Sequence, residues 1–115
     1  MCLNVIEGTT RRTAKKDFFV YKWIRTNNEA PHRTGFKYEP NKTYKLGKEL
    51  RSRKGQVDAG FHAYITPAGA RRSYNAFADR KLVPMIVPKN TRYYVGVNNE
   101  IVSETIKTIA LDDVK

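Results

Sequence analysis

At 115 residues the chain has the length of one domain that can bury a core without staples, and its single cysteine, Cys2, excludes an internal disulfide and a cysteine-built zinc cluster. Lys and Arg number 22 against 11 Asp and Glu, a formal charge of +11, and the excess lies in residues 1–99, which hold 20 basic and 7 acidic side chains. A field of that sign attracts nucleic acid, nucleotides, anionic lipid or an acidic protein; with no run of about 18 apolar residues and no apolar leader, the expectation is a cytoplasmic protein without a membrane partner.

Residues 1–16 are polar and without a sustained period, and they carry Arg11, Arg12, Lys15 and Lys16. They read as a basic N-terminal arm ahead of a single domain over 17–115. Phe18-Phe19-Val20-Tyr21-Lys22-Trp23-Ile24 crowds aromatic and β-branched residues as a buried strand does. After a turn-like stretch at 26–31, the segments 35–39 and 42–46 flank Pro40-Asn41, the pairing expected of a short hairpin. Residues 47–55 form the most basic stretch, with Lys48, Arg51, Arg53 and Lys54, and read as an exposed loop or a single helical turn.

Residues 60–65 alternate at strand period, and Thr66-Pro67 then supplies a helix cap and a first-turn proline. The pattern predicts a helix near 67–80, with Ala70, Tyr74 and Phe77 on its inner stripe and Arg71, Arg72 and Arg80 off it. Residues 82–87 alternate again but contain Pro84, which assigns that strand to an edge or a bulge. Pro88-Lys89-Asn90 turns the chain, and segments 92–95 and 101–111 flank Asn98-Asn99, as in a C-terminal β-meander. The fold class expected is α+β, a mostly antiparallel twisted sheet of about six strands with one main helix.

Residues that carry chemistry are few. His32 and His62 have no second ligand at metal-binding spacing, and no Gly-rich phosphate loop or nucleophile elbow is present. Cys2 becomes an N-terminal nucleophile only if Met1 is removed, and otherwise reads as a tucked apolar residue. No catalytic residue, metal or cofactor is therefore expected. What remains is a basic surface of Arg11, Arg12, Lys15 and Lys16 on the arm, Lys48, Arg51, Arg53 and Lys54 in the loop, and Arg71 with Arg72 on the helix. Tyr93 and Tyr94 are candidates for base stacking, whereas Trp23 reads as core.

The Met1-Cys2-Leu3 start, the Val20-Tyr21-Lys22 strand, Gly60-Phe61-His62-Ala63-Tyr64 and Val87-Pro88-Lys89-Asn90-Thr91-Arg92-Tyr93-Tyr94-Val95-Gly96 together resemble a family of small phage and prophage proteins of no agreed activity. The resemblance runs from residue 17 to 109 and implies an accessory protein of the host bacterial cytoplasm, acting in host takeover or counter-defence. On that reading the protein is not an enzyme, and its partner is nucleic acid, a nucleotide or an acidic host protein; a small virion structural protein is a further alternative. The order of a Gly-aromatic strand, an Ala-and-Tyr helix and a final meander is also similar to the C-terminal half of the ADP-ribosyltransferase fold. That likeness implies an enzyme or a relic, with Lys22 near the cofactor and Glu100 or Glu104 as the late acid, although these lack the paired-acid spacing of that superfamily.

Overall fold

The computed structural model of the chain describes residues 3–4, 11–29, 36–47, 56–57, 60–72, 80–96 and 99–112. In chain order the elements are β1 (Leu3–Asn4), β2 (Arg12–Thr13), β3 (Phe18–Arg25), β4 (Thr43–Lys45), β5 (Gln56–Val57), β6 (Phe61–Tyr64), α1 (Pro67–Arg72), β7 (Arg80–Val87), β8 (Arg92–Val95), β9 (Glu100–Ser103) and β10 (Thr105–Thr108). Eight strands form one sheet in the order β2-β8-β9-β6-β3-β7-β10-β4, every pairing antiparallel, while β1 pairs with β5 apart from it.

The sheet is built around β3 and β7, which pair along their whole length from Phe18↔Val87 to Arg25↔Arg80. Side chains alternate across a strand, so one face collects Val20, Ile24, Val83, Met85 and Val87, all wholly buried. Ala63, Ile101 and Ile106 join them from β6, β9 and β10 in one core cluster. The other face carries Tyr21, Trp23 and Leu82, and α1 packs there: the Trp23 indole Nε1 donates to the Ala70 carbonyl at 2.9 Å. The helix starts where its cap predicts, with Thr66 Oγ1 accepting from Gly69 N at 3.0 Å and Pro67 in the first turn.

The sheet is curled. β9 and β10 have three strands between them in the ladder order yet are joined by Glu104 alone. In a flat sheet they would lie about 19 Å apart, and one residue spans at most about 7 Å. Residues 100–108 are thus one bent strand whose first half pairs with β6 and β8 and whose second half pairs with β7 and β4. Glu104 joins the two sides through its backbone, its N donating to Arg92 O at 3.1 Å and its carbonyl accepting from Leu46 N at 2.7 Å. The curl also brings Phe18 of β3 against Tyr93 of β8, ring centroids 5.4 Å apart in a T-shaped contact.

This architecture corrects the expectation of an α+β fold with about six strands. The sheet has eight strands, and the one helix among the described residues is six residues long. A strand such as β2, two residues long within the segment read as an arm, holds too little of the alternating pattern to be recognised in a sequence. The helix expected near 67–80 is described only over Pro67–Arg72, and Arg80 is the first residue of β7, paired with Arg25; Tyr74 and Phe77 lie outside the described residues.

The C-terminal meander is reduced to one hairpin. β8 and β9 pair across a turn in which Asn99 takes φ 60°, but β7 and β10 lie on the far side of the sheet. The Pro40-Asn41 turn is present, with Asn41 at φ 55°, yet β4 after it pairs with β10 and not with the segment before it. That preceding segment instead contributes Phe36 and Tyr38 to an aromatic cluster with Tyr44, centroids 5.1 to 5.4 Å apart. Within the basic arm, Arg12–Thr13 form the edge strand β2 against β8. Pro84 sits in the interior strand β7, at the register step just beyond the last β7–β10 pair, Met85↔Thr108, where that side of β7 has no ladder to supply.

Candidate functional site

Residues 14–17 and 88–91 are held together as a ridge at one end of the sheet. Ala14 N donates to Thr91 O at 2.8 Å, Asn90 N donates to Ala14 O at 2.8 Å, and Lys89 N donates to Asp17 Oδ1 at 2.6 Å. The turn beneath is formed by Pro88-Lys89-Asn90, with Asn90 in the left-handed region at φ 72° that asparagine tolerates.

On one side of the ridge lies a pocket of about 560 Å³ whose floor is apolar and aromatic: Phe18, Ile65, Tyr93, Val95 and Ile101. Its rim is cationic, formed by Arg12, Lys15 and Lys16, all exposed. Among the described residues none of these three cations forms an ion pair. On the other side lies a polar groove of similar size, about 560 Å³, lined by Thr43, Lys45, Lys89, Asn90 and Lys107 together with Asp17 and Glu104. Glu104 is paired with Arg92, whereas Asp17 accepts only from the Lys89 backbone N and keeps its charge, so the groove presents three lysines and one exposed carboxylate.

Glu104 has a distinct electrostatic setting. Burial pushes its carboxyl up, but the hydrogen bonds and charge of Arg92, with the charge of Arg11, outweigh that and hold it below the usual carboxylate range. Its Oε1 accepts from Arg92 N at 3.0 Å and from Arg92 Nε at 3.2 Å.

A second polar feature is interior. By register Lys22 falls on the core face beside Val20 and Ile24, and its Nζ donates to the His62 carbonyl at 2.5 Å, next to the single β3–β6 pair Tyr21↔Tyr64. Burial lowers the Lys22 ammonium to about 8, against the opposing pull of Glu100, and burial likewise raises the Glu100 carboxyl. Lys22 lines neither the pocket nor the groove, and Glu104 is engaged at the β9–β10 corner. Of the residues that an ADP-ribosyltransferase likeness implies, Glu104 lines the groove, while Lys22 lies within reach of the charge of Glu100.

The predicted basic residues distribute unevenly. Arg12, Lys15, Lys16 and Tyr93 come together at the pocket, and Arg11 lies near Glu104. Arg71 and Arg72 are exposed in the last turn of α1, on the face opposite the core. Tyr94 is 8% exposed and opposes Val102 on β9, a packed position. Lys48, Arg51, Arg53 and Lys54, like Cys2 and His32, lie outside the described residues. His62 sits on β6 opposite Val102, and among the described residues there is no group of three or more metal-ligating side chains. No helix among them is long and apolar enough to cross a membrane.

Sequence reasoning missed Phe18, Lys45, Lys89 and Lys107. Phe18 reads as an ordinary strand aromatic until the curl brings it to Tyr93. Lys45 and Lys107 become neighbours through the β4–β10 pairing, between segments some sixty residues apart, and no local pattern announces that pairing. Compared with protein-family models, curated proteins and solved structures, the chain matches none of them.

Proposed function

We propose that this chain is a non-catalytic accessory protein, of the phage type that its sequence resembles, which binds nucleic acid through the ridge formed by residues 14–17 and 88–91. The observation that carries the reading is the gathering of Arg12, Lys15 and Lys16 at a pocket mouth, with Lys45, Lys89 and Lys107 in the groove across the ridge. Three cations at the pocket and three lysines in the groove can meet the repeating negative charge of a phosphate backbone, and the net charge of +11 draws such a polymer from a distance. Lys and Arg contacts of this kind position a backbone without reading its bases, so binding is expected to be steeply salt-dependent and weakly sequence-selective.

The test is fluorescence anisotropy with labelled oligonucleotides across a salt series. Binding should weaken log-linearly with salt, and Lys15→Gln with Lys16→Gln should reduce the slope by about 1.4 to 1.8, two phosphates' worth of released counterions. Arg71→Gln with Arg72→Gln, at positions that line neither cleft, should leave the slope within experimental error. No binding at low salt would remove this reading and direct attention to an acidic protein partner.

A further inference from the structure

We infer that the pocket between the ridge and β8 receives one unpaired nucleobase, so that the protein binds single-stranded nucleic acid in preference to duplex; this rests on the nucleic-acid reading above.

The pocket is divided chemically. Phe18, Tyr93, Val95 and Ile101 form a floor with no charged group, while Arg12, Lys15 and Lys16 stand at the mouth. A phosphate gains nothing from that floor, and an uncharged apolar group gains nothing from that rim. The matching ligand is flat and apolar at one end and anionic at the other, which describes a base on its sugar-phosphate. A volume of about 560 Å³ lies within the range of small-molecule sites. Tyr93 is half-buried and its ring is braced edge-on by Phe18 at 5.4 Å, so the stacking partner is held in one orientation before a base arrives.

The ridge explains why a strand fits better than a lipid or a lone acyl anion. Lys16 borders the pocket and Asp17 borders the groove, so the two clefts meet at adjacent residues. The groove that begins at that junction is lined by Lys45, Lys89 and Lys107. A single head group has no use for this second row, whereas a backbone leaving the pocket crosses the ridge and follows it. A duplex meets the same cations but has its bases stacked away; filling the pocket would require a base to be flipped out at a cost of a few kcal/mol. A single strand offers its bases freely, and stacking on an aromatic ring is sequence-tolerant.

The experiment compares one labelled single-stranded oligonucleotide with the same strand annealed to its complement, at equal salt. The single strand should bind about tenfold more tightly. Tyr93→Leu, which keeps an apolar side chain but removes the ring, should lose about tenfold for the single strand with an unchanged salt slope, and Tyr93→Phe should bind as the parent does. The near-ultraviolet signal and thermal midpoint of each variant establish that it is folded; if Tyr93→Leu does not fold, Val95→Phe, which fills the pocket from its floor, takes its place with the same loss expected. Equal affinity for duplex, or a neutral Tyr93→Leu, would overturn the base-in-pocket inference while the salt dependence left the nucleic-acid reading standing. Absence of binding to either form at low salt would remove both.

Discussion

Glu104 binds Arg92 twice with one carboxylate oxygen, accepting from its backbone N at 3.0 Å and from its Nε at 3.2 Å. Arg92 opens β8 and Glu104 is the sole residue between β9 and β10, so this pair fastens the corner at which the sheet turns back on itself.

Glu104→Ala should lower stability by about 2 kcal/mol, because Arg92 N loses its acceptor at a half-buried position. Because the folded protein holds the Glu104 carboxyl below its ordinary value, the unfolded chain binds the proton more readily. The stabilisation is fully present above the unfolded pKa and is lost as pH falls through the lower folded one. Urea titrations at neutral and acid pH should show the difference between parent and Glu104→Gln shrinking in acid.

Lys22 also makes stability rise with pH, but on the alkaline side and because a buried charge is relieved. Its ammonium is lowered from 10.5 to about 8 by burial, so between those two values the unfolded chain holds more protons than the folded one. Stability from this residue therefore rises as pH increases through that interval. Replacing Lys22 by Met should abolish that rise, and the pH dependence of the melting temperature on the alkaline side checks it. Glu100, raised by burial, favours the fold when protonated; Glu100→Gln should stabilise the protein at neutral pH and have no such effect well below its ordinary value.

Thr108 is wholly buried and its hydroxyl works on both sides: it donates to the Glu39 carbonyl and accepts from Lys42 N at 2.9 Å. Thr108→Val preserves the shape and removes both bonds, leaving a backbone donor and acceptor without their partner. A loss of about 2 kcal/mol is expected in chemical denaturation, since two hydrogen bonds are lost and no cavity is made.

Trp23 is the only tryptophan, and its indole N–H is committed to Ala70 O on α1. Trp23→Phe should cost about 1 kcal/mol for the lost hydrogen bond, with some added loss of packing. In the parent, tryptophan emission should report the docking of α1 on the sheet. A transition seen by emission at lower denaturant than the loss of far-ultraviolet signal would mean that the helix leaves the sheet first.

Several elements were legible as local patterns. The density of aromatic and β-branched residues from Phe18 to Ile24 is enough to identify β3, and the Thr66-Pro67 pair is enough to start α1, because strand burial and helix capping depend on residues within one or two turns of chain. The asparagines at 41, 90 and 99 mark real reversals, since each adopts a positive φ. The basic segment around Arg12, Lys15 and Lys16 is likewise visible as composition.

What those residues face was decided by tertiary structure alone. Tyr93 and Tyr94 are adjacent and chemically identical, yet one opens into a pocket and the other is packed, because the β8–β9 register assigns them to opposite faces of the sheet. Lys45 comes beside Lys107 through the β4–β10 pairing, and Phe18 meets Tyr93 because one residue at the β9–β10 corner bends the strand and curls the sheet. A sequence records local preference and total charge, both properties of neighbouring residues; long-range pairing is chosen by the burial of the whole core, and it is that choice which turned a dispersed positive charge into a rimmed pocket and a groove beside it.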